Sequence, residues 1–114
     1  MQTLEQLKNL MVKKFYENVV SREKLFREFV EELCRSRLVE EVYLVGSRAR
    51  GDNIPSSDFD IIIVVNNNMD LIETLERVYK LKKHPIPIDI IALHSEDLND
   101  PLYKEMLKDR KRLC

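Results

Sequence analysis

Apolar residues fall along the chain in two rhythms, one of three- and four-residue steps and one of short unbroken runs. Thr3-Leu4-Glu5-Gln6 has capping-box spacing, and Leu4, Leu7, Leu10, Met11 and Phe15 follow at helical period, which predicts an amphipathic helix to about Asn18. Ser21 can cap a second helix with the stripe Leu25, Phe26, Phe29, Val30, Leu33 and Cys34. Neither Gly nor Pro separates the two, so one long bent helix fits the pattern equally. Glu41 to Val45 is short, apolar and β-branched and ends at Gly46, the pattern of a central strand feeding a tight turn. Phe59 to Val65 is a near-continuous apolar run that suits a strand buried on both faces. Asp70 then caps a helix whose buried side is expected to carry Leu71, Ile72, Leu75, Val78 and Tyr79. Pro85 and Pro87 bar a helix before Ile88 to Leu93, a third strand that is apolar except at Asp89. Asp100-Pro101 opens a last helix, expected over 100–113 through Leu102, Tyr103, Met106 and Leu107, with a basic, solvated end. The elements predict one α/β domain over 1–114 with a mixed sheet and helices largely on one side. Its parts are an extra N-terminal helix over 1–20, a core over 22–94 and the C-terminal helix.

The chemistry gathers between the first two strands. Side chains two apart on a strand share a face, with α-carbons about 6.6 Å apart, so Asp58 and Asp60 project together while Phe59 points away. Two carboxylates with oxygens about 5 Å apart repel by about 3 kcal/mol at an effective dielectric near 20. A cation in the gap relieves that repulsion, and hard oxygen ligands select Mg²⁺ or Mn²⁺ over zinc. Asp89 can join the pair if its strand neighbours theirs; its alternative is a cap or ion-pair role. The connection from Arg48 to Ser57 contains Gly51, Asp52, Asn53 and Pro55 and excludes long regular structure, though one helical turn after Gly46-Ser47 would aim backbone N–H groups at an anion. Gly46 lets the backbone approach such an anion without a Cβ in the way. Arg48 and Arg50 can reach phosphate or be salt-bridged in the loop, Ser57 and Asp52 suit the turn, and His84 reads as an exposed loop residue.

Gly46-Ser47, ten intervening residues and Asp58-x-Asp60 resemble the signature of the DNA polymerase beta-like nucleotidyltransferase superfamily. Arg48-Ala49-Arg50-Gly51-Asp52 and Ser57 before the first Asp resemble its small branch, the minimal nucleotidyltransferases. The resemblance covers roughly Leu25 to Leu93. It implies a nucleotidyltransferase fold in which Asp58 and Asp60 bind two Mg²⁺ or Mn²⁺ ions, while Asp89 ligates the catalytic ion and helps deprotonate a hydroxyl. Gly46, Ser47, Arg48, Arg50 and Ser57 are the implied nucleotide-binding residues. The implied reaction moves a nucleoside monophosphate, AMP from ATP, onto a hydroxyl acceptor. In the small branch the acceptor is in the better understood cases a tyrosine of a HEPN-domain toxin, so an antitoxin role is implied. The competing reading is a non-catalytic module that binds nucleotide or a partner; a nucleic-acid tailing subunit ranks third.

Composition narrows these classes. A formal net charge of -1 on 114 residues lacks the overall basic field of a dedicated nucleic-acid binder. The sequence contains no apolar run long enough to span a bilayer and begins without a signal-peptide pattern, so a cytoplasmic protein is expected. In that reducing compartment Cys34 and Cys114 are expected as separate thiols, one on a helix face and one loose at the terminus. The first helix carries an apolar face surplus to the core, which leaves a domain cap, a partner surface and a homo-oligomer contact all open.

Overall fold

The computed structural model describes residues 3–54 and 57–114, without the side chains of Phe15 and Tyr16. Phe15's place in the first apolar stripe and Pro55's in the connection therefore lie outside the described residues. The two expected N-terminal helices are one, Leu4–Arg35 (α1). Thr3 opens it: its hydroxyl accepts from the Gln6 N–H at 3.2 Å and its own N–H donates to Gln6 Oε1 at 2.9 Å. With no breaker between them, the two helical patterns simply continue. The elements that follow are Glu41–Val45 (β1), Gly46–Arg50 (α2), Phe59–Val65 (β2), Leu71–Leu81 (α3) and Ile88–His94 (β3). Two 3₁₀ turns, Ser95–Asn99 and Pro101–Tyr103, lead to Lys104–Leu107 (α4) and Lys111–Arg112 (β4).

The sheet order is β3-β2-β1-β4, with β2 and β3 parallel and the other pairs antiparallel. Alternation along the strands divides the core. Phe59, Ile61, Ile63 and Val65, with Val42, Ile88 and Ile90, meet Phe26, Phe29 and Leu33 of α1 and Val78 of α3. Ile62 and Val64, with Tyr43, Val45 and Leu93, meet Leu107 on the other face. The two long helices thus share one face, and the short C-terminal segments cover part of the opposite one.

A 32-residue helix runs about 48 Å at 1.5 Å per residue, twice the length of the seven-residue strands beneath it. Its N-terminal half therefore overshoots the sheet, and Leu4, Leu7, Leu10 and Met11 are exposed. The radius of gyration, 17.3 Å, exceeds the roughly 13 Å of a compact chain of this length.

Four expectations are corrected. The C-terminal helix over 100–113 shrinks to a 3₁₀ turn and the four residues of α4. The basic tail after it is an edge strand, with Lys111 opposite Leu44 and Arg112 opposite Tyr43, and the Leu113 N–H donates to the Val42 carbonyl at 2.7 Å. The free edge of β1 takes up backbone groups that a solvated helix end would leave to water, and the lysine and arginine of β4 discourage further pairing. Cys34 and Cys114 are not separate thiols but a disulfide with α-carbons 6.2 Å apart, because β4 carries the chain end back to the last turn of α1. Such bonds persist in oxidising compartments and, exceptionally, inside hyperthermophiles. On α3, Ile72 and Tyr79 are exposed and Thr74 is buried in their stead, since the face toward β3 is set by Leu71, Thr74, Leu75 and Val78. Among the described residues no helix is long and apolar enough to cross a membrane.

Candidate active site

Strand register brings distant carboxylates together. Asp60 lies opposite Asp89 across the parallel β2–β3 pair and opposite Val45 across the antiparallel β1–β2 pair. Gly46 follows Val45 directly, with φ at 73°, and a Cβ there would sit 2.5 Å from Asp60 Oδ2. Glycine is required twice over, by the left-handed backbone and by the carboxylate against it. Burial, first, and then the charge of Asp89 and a hydrogen bond with it raise the Asp60 carboxyl above the usual range. Asp58 adds to that rise through its charge, and Arg50 opposes it. Asp58 itself is exposed at the mouth of β2.

Gly46, Arg50, Asp60 and Asp89 line a cleft of about 540 Å³. Tyr79, Ile90, Ile91, Glu105, Met106 and Asp109 line it as well. Sequence reasoning did not find that second set. Tyr79 is four residues from Leu75 and read as core, and Met106 read only as one of the apolar positions of a longer last helix.

The remaining residues of the implied nucleotide set divide. Arg50 is half-exposed, pairs with Asp52 at 3.1 Å and remains in the cleft. The structure does not bring Arg48 there. Its side chain is 7% exposed, donates to the Ser57 carbonyl at 2.9 and 3.1 Å and to Glu23 at 2.8 Å, and lies 3.9 Å over the Phe59 ring. Phe59 belongs to the helix-covered face, so Arg48 is held away from the carboxylates by the residue between them. Ser57 is likewise a turn residue: its hydroxyl accepts from the Ile54 N–H at 3.0 Å and its carbonyl holds Arg48. Ser47 accepts the Gly51 and Asp52 N–H groups on its carbonyl, closing the turn of α2, and is not among the residues lining the cleft. His84 is exposed and lines a separate groove with Leu25, Phe29 and Lys83.

Among the described residues no three His, Cys, Asp or Glu side chains stand close enough to form a finished metal site. The donor chemistry nonetheless fits a hard divalent cation. Asp60 and Asp89 are adjacent oxygen donors whose mutual repulsion is the first electrostatic cause of the raised Asp60 carboxyl, and the same repulsion is what a cation neutralises.

A family model described as a nucleotidyltransferase domain matches residues 26–114. Among solved structures, the chain is similar to a Sulfolobus solfataricus protein classed as a nucleotidyltransferase, with 32% identity and a TM-score of 0.61 over 86% of this chain and 84% of that one. It also resembles, at 19% identity and a TM-score of 0.52, a toxin-antitoxin structure with AMP-PNP, over 77% of this chain and 72% of that one. No match was found among curated proteins.

Proposed function

The chain belongs to the nucleotidyltransferase domain family, and from that premise we propose that it transfers a nucleoside monophosphate, AMP from ATP, onto a hydroxyl group. The observation that carries the reading is the pairing of Asp60 with Asp89 against a glycine that admits no side chain. Asp58, Asp60 and Asp89 are the residues that would hold Mg²⁺ or Mn²⁺, two ions in the family pattern. When bound, such ions neutralise the triphosphate and lower the barrier to in-line displacement. Gly46 leaves room for phosphate beside Asp60, and Arg50 supplies the cleft's positive charge. The acceptor oxygen attacks the α-phosphorus, its proton passes to the Asp89 carboxylate, and pyrophosphate departs.

The proposed acceptor is a tyrosine of a HEPN-domain toxin, which makes the chain an antitoxin acting by modification. Resemblance to the small branch supports this, and the fold shared with a toxin-antitoxin structure is consistent with it. The test is intact-mass analysis of a cognate HEPN protein after incubation with this chain, ATP and Mg²⁺. One added AMP is expected, and none with Asp60→Ala. An unchanged partner mass refutes the modifying role.

One observation favours a second reading. The three carboxylates do not converge as a finished ligand set, which suits a module that docks on a partner or holds nucleotide without turnover. ATP binding that ignores both Mg²⁺ and Asp60→Ala would support that module instead.

A further inference from the structure

The first helix is longer than the sheet it covers. Leu4, Leu7 and Met11 precede Phe26, Phe29 and Leu33 by twenty-two residues each, which is six helical turns to within about 40°. The face of α1 that packs on the sheet therefore continues in line beyond it. Phe26, Phe29 and Leu33 are buried, whereas Leu4 and Met11 are 71% exposed and Leu7 is exposed with them. The overhanging stripe measures about 30 by 10 Å, an apolar patch of about 300 Å², large enough to mark an interaction surface. A helix of about twenty residues is marginal in water unless one face is packed.

The body limits what can lie on that stripe. The sheet is on the same side of α1, so an occupant must fit a step one layer deep that ends at the sheet, and a helix about 10 Å across fills one layer. The overhang of a second copy has that thickness and, by identity, that length. Laid antiparallel, each overhang fills the step beside the other copy's sheet, and each body lies beyond the other's N-terminus. Laid parallel, the two bodies would collide. Full overlap brings Leu4 of one copy to residue 23 of the other, just short of Leu25, where α1 meets the core. In that register Glu5 of each copy comes opposite Arg22 of the other, an ion pair made twice. Among the described residues neither Glu5 nor Arg22 has an ionic partner within its own chain.

We infer that the protein pairs with a second copy of itself through the overhanging half of α1, antiparallel about a two-fold axis, with Glu5 of each copy against Arg22 of the other. The contact is self-complementary, as a two-fold interface must be. Its area is at the low end of specific interfaces, so association in the micromolar range is expected. Pairing is independent of nucleotide binding, because among the described residues none that lines the carboxylate cleft belongs to α1.

Sedimentation velocity of the full chain from about 1 to 200 μM should show a concentration-dependent shift from one chain mass to two. Met11→Glu, which places a charge in the stripe, should weaken pairing at least about 10-fold. Lys13→Glu, about half a turn away around the helix, should stay within about 2-fold of wild type. Glu5→Arg and Arg22→Glu should each weaken pairing about 3- to 10-fold, and the chain with both reversals should recover to within about 2-fold. The two residues are seventeen positions apart on one helix, about 25 Å, so that recovery cannot come from a pair within one chain. Thermal melts establish that each variant keeps a folded body. The pairing is overturned if the wild type remains monomeric at about 200 μM, if Lys13→Glu weakens it as much as Met11→Glu, or if the double reversal associates no better than either single one.

Discussion

Replacing Asp60 by asparagine should stabilise the metal-free protein. Asp60 and Asp89 are paired across adjacent strands, and burial together with the Asp89 and Asp58 charges raises the Asp60 carboxyl. Two full charges at hydrogen-bonding separation, about 3 Å, repel by about 5 kcal/mol at an effective dielectric near 20. Partial exposure, salt and the opposing Arg50 reduce that to about 1–2 kcal/mol. The sign follows from linkage. A carboxyl raised in the folded state holds its proton more tightly there than in the unfolded chain. Its favourable contribution is complete below the unfolded value and is lost as pH climbs through the raised folded one. Wild type therefore carries the penalty at neutral pH, and asparagine, neutral throughout and nearly the same size, does not. Thermal melts in EDTA should show Asp60→Asn above wild type by about 4–8 °C at pH 7, with the gap closing near about pH 3. Adding Mg²⁺ should raise the wild-type melting temperature and leave the variant nearly unmoved. A variant that melts below wild type in EDTA at neutral pH would refute the repulsion and make Asp60 an ordinary structural partner.

Other substitutions probe the frame around that pair. Both glycines have left-handed backbone, but a Cβ at Gly51 meets nothing within 4 Å whereas one at Gly46 meets Asp60 at 2.5 Å. Gly51→Ala should cost about 1–2 kcal/mol in chemical denaturation. Gly46→Ala should cost more and also abolish the Mg²⁺-induced shift. Arg48→Ala removes a buried guanidinium from the Ser57 carbonyl, Glu23 and the Phe59 ring. It should cost about 2–3 kcal/mol by urea melt while MgATP affinity holds in the folded fraction. The Cys34–Cys114 bond closes a loop with a sequence separation of 80, so Cys114→Ser or a thiol reductant should lower stability by about 2–4 kcal/mol. Equal denaturation midpoints with and without reductant would show that the bond contributes nothing.

The strands were legible because their signals are local. Phe59–Val65 and Glu41–Val45 have the predicted bounds, and the Asp70 carboxylate accepts the Glu73 N–H at 2.9 Å as a cap should. Asp89 was legible as an isolated charge in an apolar run, and its contact with Asp60 waited only on which strands were neighbours. The misread residues depend on contacts far along the chain. Leu102, Tyr103, Met106 and Leu107 have helical spacing, and only the vacant edge of β1 turns the residues after them into a strand. The same return of the chain end pairs Cys114 with Cys34, a contact no spacing rule contains. Arg48 and Arg50 look alike in a polar loop. Which of them is taken up is settled by the Phe59 ring beneath Arg48. Tyr79 was mistaken for core because a stripe predicts which residues are apolar, not where the neighbouring layer stops.

Calorimetric titration of ATP into wild type, Asp60→Ala and Asp89→Ala, each with Mg²⁺ and with EDTA, bears on the carboxylate cleft most directly. Saturable binding by wild type in Mg²⁺ alone, lost in either alanine variant, is the predicted result. Equal heats in EDTA, or unchanged affinity after removal of either carboxylate, would contradict it.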